Sequence, residues 1–350
     1  HLSIRRQRQM CIRDRNAQRE AKQIGDFKES ISLNEHLRGT KRTLQYRPDG
    51  DEFVCVNGKN RYTRALYGSH SPFRVETSDR PVFAFYNNGR GGNISFKVIL
   101  RDGTELALDC TGHCESRYSA GKRTYYLTDP SWGKGELRIS VLALADMDGA
   151  IWRFSPSNMP KGAILRWQHG GATGKRLSRN GDMGVDPADC FELPAEATDL
   201  VTGELALQKE VYLVRGEVPE GYNVRKLYQQ AEAASLALAS HLKIETPDPY
   251  LNTLGGALVA AADGIWDEQV WLHGAIGWRM PLSGWRAGYT GDALGWHDRA
   301  RTHFDAYAAS QVTDVPNTIP HPAQDSTMNL ARSEKRWGTP QYSNGYICRN

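Results

Sequence analysis

The sequence predicts a multidomain β + α protein, with an antiparallel β-sandwich over residues 40–222 and an all-α domain with long connections over 223–350. Three observations predict it. Between Thr40 and Glu220, short runs of apolar and β-branched residues are separated by Gly, Asn and Asp turn signals, with no helical period between them. Near Tyr222 the period changes to that of an amphipathic helix. Beyond it, ThrProAspPro (246–249) and AspGly (263–264) punctuate helical stretches rather than strands.

Taken in order, Phe53–Val56 is a strand turned by AsnGly (57–58), and Pro81–Tyr86 a strand ending in AsnAsnGlyArgGlyGly. Asn93–Leu100 precedes AspGly (102–103), and Glu136–Leu144 precedes AspMetAspGly (146–149). Ala150–Phe154, Gly162–Trp167 and Leu205–Val214 complete the set, with 168–204 expected as mostly loop. Strands this short, without helices between them, pair antiparallel and pack face to face. In the second half, Leu227, Ala231, Ala234 and Leu238 share one face of an alanine-rich helix. Asp248 is placed to cap the next helix and Pro249 to open it, where a missing N–H costs nothing. Leu251, Leu254, Leu258 and Ala261 continue that helix to AspGly (263–264). A third helix starts near Asp298, with Phe304, Tyr307, Ala308 and Gln311 on one face, and stops before ValPro (315–316). The stretch GWRMPLSGWRAGYTGDALGWHDRA (277–300) lacks strand alternation and holds too much glycine for a helix, so it is expected as a long ordered loop.

A composition with 39% hydrophobic and 24% charged residues is that of a soluble globular chain. No run approaches the ~18 apolar residues of a spanning helix, so membrane insertion is not expected. Residues 1–15 are set aside, because MetCysIleArgAspArg (10–15) is what one frame of a common sequencing adapter encodes; the segment is expected to be an assembly artefact, and 16–39 a poorly defined N-terminal segment. Its Arg5, Arg6, Arg8, Arg13 and Arg15 against Asp14 account for the whole formal net charge of +4 and leave residues 16–350 neutral. A neutral chain carries no electrostatic footprint for nucleic acid.

Cys55, Cys110, Cys114, Cys190 and Cys348 are odd in number and irregular in spacing, which is not a disulfide framework. CTGHC could open a metal site through Cys110, His113 and Cys114, but a second ligand pair with zinc spacing is missing. No metal and no cofactor is therefore expected. There is no phosphate loop, dinucleotide fingerprint or GxSxG elbow.

Trp266, Trp271, Trp278, Trp285 and Trp296 are five of the nine tryptophans, and their crowding among arginines, aspartates and a histidine points to a concave polar-aromatic site. Sugars suit such walls, since their C–H faces pack on indole while their hydroxyls need charged or amide partners. Asp292 is the leading catalytic candidate, with Asp298 behind it. Trp271, Trp285, Tyr289 and Trp296 would wall the site, and Arg279, Arg286 and His297 would bind hydroxyls or a uronate carboxylate. The competing structural readings are a tryptophan core where helices meet sandwich, a capping role for Asp298, a cap or turn for Asp292 and an ordinary buried His297. Asp267 and Glu268 are adjacent carboxylates of which one is expected in solvent, and ProHisProAlaGlnAspSer (320–326) fits no metal motif.

The stretches PDPYLNTLGGALVAAADGIWDE, WLHGAIGWRMPLSGWRAGYTGDALGWHDRARTHFDAYAASQV and HPAQDS resemble the bacterial domain of unknown function 4450 family, a likeness covering about residues 40–350 and strongest in 247–350. The chain is identified by that resemblance with the six-hairpin, or (α/α)6, glycosidase-like superfamily. The resemblance implies a sandwich followed by the beginning of an (α/α)6 toroid, truncated here, because only 128 residues follow Tyr222 (by position in the chain). It implies a glycoside hydrolase acting on plant or microbial polysaccharide-derived glycans in a secreted or periplasmic setting, with an oligosaccharide or polysaccharide as partner. GlyTrpArgAlaGlyTyrThrGlyAsp (284–292) is loosely similar to a motif of α-rhamnosidase-like relatives. The second carboxylate is expected beyond Asn350 and the present chain is expected to be inactive alone. The alternatives are a non-catalytic carbohydrate-binding protein on the same scaffold and a polysaccharide lyase using Tyr289 and His297 as base and acid.

Overall fold

The computed structural model describes residues 46–58, 62–68, 70–71, 73–87, 90–176, 200–272 and 281–309. Backbone proximity divides the chain into residues 1–45 and 46–350, and every element below belongs to the second unit.

Two antiparallel sheets face each other, with strands numbered β1 to β14 along the chain. The first runs β1 (Arg47–Asp49), β2 (Glu52–Val56), β8 (His113–Ser119), β9 (Lys122–Thr128), β10 (Glu136–Ala143), β11 (Gly149–Ser157), β14 (Val211–Gly216). The second runs β13 (Val201–Ala206), β12 (Ile164–Arg176), β6 (Arg90–Ile99), β5 (Phe83–Asn87), β4 (Arg74–Ser78), β3 (Tyr62–Leu66), with β7 (Glu105–Ala107) pairing the end of β6. Alternation sets the faces. In β8, Cys114, Ser116 and Tyr118 are buried while the residues between them are not. Phe53, Tyr125, Ile139, Trp152 and Phe154 from one sheet meet Val75, Phe83, Ile94, Phe96 and Leu165 from the other in a single core. Phe83 sits at its centre, edge-on to Phe96, Tyr125 and Trp152 at 5.8, 5.7 and 5.6 Å.

Two strand expectations change. Leu205–Val214 is not one strand: β13 ends at Ala206, a turn follows, and β14 joins the opposite sheet. Leu207 explains the crossing, since it is buried in the core and its N–H bonds Ala163 O at 3.0 Å. The expected loop 168–204 contributes the second half of β12 and the start of β13, while 177–199 lies outside the described residues.

Four helices follow among the described residues: α1 (Val224–Ala239), α2 (Pro249–Gly264), α3 (Pro281–Ala293) and α4 (His297–Ala309). None is long and apolar enough to cross a membrane. The side chain of Asn223 caps α1, and Leu227, Tyr228 and Ala231 pack against Leu142, Leu144 and Ile151 on the outer face of the first sheet. Asp248 caps α2 by accepting from Tyr250 N at 2.8 Å, with Pro249 in the first turn as the sequence predicts. Thr253 Oγ1 donates to Gly50 O at 2.8 Å and ties α2 to the β1–β2 turn.

The expected loop over 277–300 is corrected: from Pro281 onward it is the helix α3, a short turn and the start of α4. Its glycines allow close approach rather than breaking the helix. A Cβ on Gly288 would lie 2.7 Å from Phe304 Cζ, and one on Gly291 only 2.1 Å from Trp271 Cη2. Glycine costs about 1 kcal/mol of helix propensity, and packing of this closeness overrides it.

Candidate functional site

The aromatic cluster forms where α2, α3 and α4 converge. Trp266 and Trp271 flank a tight turn made by Asp267, whose Oδ1 accepts from Gln269 N and Val270 N at 3.2 and 2.7 Å. Glu268 beside it is exposed. Trp271 is fully buried, its Nε1–H bonding Ala262 O at 2.9 Å and its backbone N–H donating to His303 Nδ1 at 3.0 Å. Its ring lies 4.6 Å from Trp266 and, nearly parallel, 6.4 Å from Trp296. Trp296 is half-buried, stacks on His241 at 5.3 Å and carries the Arg299 guanidinium at 4.7 Å.

The predicted polar residues lie on the outer side of this cluster. Asp292, at the end of α3, is 57% exposed and accepts from His297 Nδ1 at 2.6 Å across the α3–α4 turn; His297 is 70% exposed. Asp298 sits in the first turn of α4, where its charge suits the helix dipole, and it pairs with Arg301 at 3.6 Å. Tyr289 is exposed on α3 and tilts against Phe304 at 5.8 Å. Trp285 and Arg286 fall on α3, but their side chains lie outside the described residues, as do Arg279 and the whole 320–326 segment. The structure thus brings together Asp292, Trp296 and His297, with Trp271 beneath them.

Sequence reasoning missed the polar node next to this corner. Asp263, in the last turn of α2, accepts at Oδ1 from Arg299 Nη1 of α4 at 2.7 Å and contacts His70 Nε2, from the β3–β4 connection, at 3.2 Å. A carboxylate at a helix C-terminus opposes the dipole, so its place there is secured by these partners and not by the helix. Burial alone would push the Asp263 carboxyl up, but the hydrogen bonds and charges of His70 and Arg299 outweigh it and hold the group below the usual carboxylate range. No local signal could have found the node, because its members are 193 and 36 residues apart along the chain.

Asp263 and His70 also line a cavity of about 230 Å³ between α1–α2 and the sandwich, which contributes Tyr118 and Ala143 from the first sheet and Ala65 from β3 of the second. Six alanines line it, with Tyr67, Tyr118 and Ser235 supplying polar atoms.

CTGHC is divided between a 3₁₀ turn and β8. Cys110 is exposed, and Cys114 is buried in the sandwich core, where desolvation pushes its thiol up to about 12. A thiol so placed is a poor metal ligand, because the thiolate is the ligand form. No group of three His, Cys, Asp or Glu that could hold a metal is present among the described residues.

Residues 88–218 match the family model described as Domain of unknown function (DUF4450). The matched span runs through β6 to β14 of the sandwich, and the stretch 247–350 lies outside the match. No curated protein matches the chain.

Proposed function

We propose that this chain is part of a glycoside hydrolase built from a β-sandwich and the opening helices of an (α/α)6 toroid, acting on polysaccharide-derived glycans in a secreted or periplasmic setting. The observation that carries this reading is the Asp292–His297 pair at 2.6 Å, held in solvent at the α3–α4 corner beside Trp296. An accessible carboxylate with an imidazole donor can align and activate water, which is the base's part in inverting hydrolysis. The acid across the ~6.5–9.5 Å gap of that scheme is not assigned to a described residue. His297 fixes the carboxylate's orientation, and Asp298, one residue on, extends the polar edge.

Carbohydrate binding without hydrolysis is the second reading, favoured by the exposure of both Asp292 and Asp298. Reducing-end release from a panel of polysaccharides, measured on the gene product that contains this chain, separates the two. Asp292→Asn should lower turnover by about 10² or more while leaving oligosaccharide binding intact. Binding without turnover in the unsubstituted protein would establish the second reading, and full turnover in Asp292→Asn would remove Asp292 from the mechanism.

A further inference from the structure

We infer that the cavity between the sandwich and α1–α2 is a binding site for one small neutral polyol, of the size of a single sugar ring, anchored by Asp263. The volume of about 230 Å³ has room for one sugar ring. Ala231, Ala234 and Ala260 give it apolar walls without bulk, the surface on which C–H faces of a ring can rest. The polar atoms offer both kinds of partner: the Tyr118 hydroxyl, which accepts from Gly121 N at 3.4 Å, keeps its proton to donate, while Asp263 and Ser235 accept. Asp263 presents a carboxylate of which only Oδ1 is used by His70 and Arg299. Ser235 spends its proton on Ala120 O at 2.6 Å, so its oxygen faces further partners as an acceptor.

Charge decides the class of ligand. Arg299 already balances Asp263, which removes most of the attraction for an ammonium group. A ligand carboxylate would meet the Asp263 carboxylate. A neutral molecule rich in hydroxyl donors satisfies the acceptors without either conflict. The lining is formed jointly by the sandwich, through His70 and Tyr118, and by the helices, through Ser235 and Asp263, so a bound ring would bridge the two layers. The choice of sugars as probes rests on the carbohydrate reading above, but Asp292 and His297 are not among the lining residues.

The test uses the full 350-residue chain, with glucose, galactose and xylose as neutral probes and glucuronate and glucosamine as charged ones, followed by ligand-observed NMR and calorimetry. At least one neutral sugar should saturate in the millimolar range, more tightly than either charged probe. Ala234→Phe, at an exposed mouth position that leaves the core intact, should weaken that binding by about tenfold or more, and Asp263→Asn should weaken it similarly. The proposal is overturned if no neutral sugar binds, if a charged probe binds better, or if Ala234→Phe binds as well as the unsubstituted chain. Loss of turnover in Asp292→Asn without sugar binding in the cavity would uphold the hydrolase reading and remove this site alone.

Discussion

Gly291→Ala sets two effects of opposite sign against each other. Replacing a helical glycine by alanine ordinarily stabilises by about 1 kcal/mol, because the unfolded backbone loses less freedom. At position 291 the added Cβ would sit 2.1 Å from Trp271 Cη2 and 2.4 Å from Cζ2, well inside the ~3.5–4.0 Å at which carbon atoms attract. The indole cannot swing aside. It is 1% exposed, its Nε1–H is held by Ala262 O at 2.9 Å, and its ring packs on both Trp266 and Trp296. Relief therefore requires α3 to move away from its neighbours, and overpacking of this kind costs about 1–3 kcal/mol, with the depth of the overlap placing it at the upper end. After the propensity gain, a net loss of about 2 kcal/mol is expected. Urea unfolding followed by tryptophan fluorescence would read it as a lower midpoint with unchanged slope. Gly288→Ala should cost less, because its contacts are longer, 2.7 Å to the ring end of the half-buried Phe304 and 2.9 Å to Cδ2 of the buried His303. A Gly291→Ala chain as stable as the unsubstituted one would refute the packing of α3 on Trp271.

Two further predictions concern charge. His169 accepts from Arg215 Nε at 3.0 Å, and burial, with the Arg215 charge, depresses its imidazole to about 4. The folded state then binds fewer protons than the unfolded one below the ordinary histidine range, so stability is complete above about pH 6.5 and declines as pH falls toward 4, by up to about 3 kcal/mol. Denaturant midpoints across that window should fall in the unsubstituted chain and flatten in His169→Gln; a slope unchanged by the substitution would rule His169 out as its source. Asp263→Ala strands Arg299 and His70, which are about a quarter exposed, and should cost about 2 kcal/mol, between the values for surface and buried pairs. Because the Asp263 carboxyl is held low, this difference should be full at neutral pH and shrink as pH falls below the ordinary carboxylate range; a pH-independent difference would mean that packing, not charge, is lost.

The sandwich was legible because its strands announce themselves by alternation and by turn residues at both ends, as β2, β6 and β10 do. β8 and β9 were not, since HCESRYS and KRTYYLT mix buried Ser, Arg and Thr into the core-facing and helix-covered positions and so blur the period. α2 was readable to the residue from Asp248, Pro249 and the closing Gly264. α3 was hidden because propensity judges a glycine by its own backbone, whereas Gly288 and Gly291 are set by Phe304 and Trp271, which approach from elsewhere in the chain. The same limit applies to the site. Asp292 and His297 are five residues apart and could be guessed as a pair, but His70 and Asp263 are brought together only by the fold.

The tryptophan cluster bears on how a glycan would be held at the α3–α4 corner. An indole offers a sugar its face, and that face must be free. Trp271 has none to offer, being buried with its N–H spent on backbone. Trp296 is only half-buried, yet its ring is already stacked near-parallel to His241 and Trp271 and carries the Arg299 guanidinium. On the proposed reading, recognition at this corner would rest on hydrogen bonds from the Asp292–His297 edge, with the aromatic column serving to hold that edge rigid. Trp296→Ala would then act by loosening the α3–α4 turn: it should lower stability and disturb the Asp292–His297 geometry, whereas removal of a stacking platform would weaken glycan binding with little effect on folding.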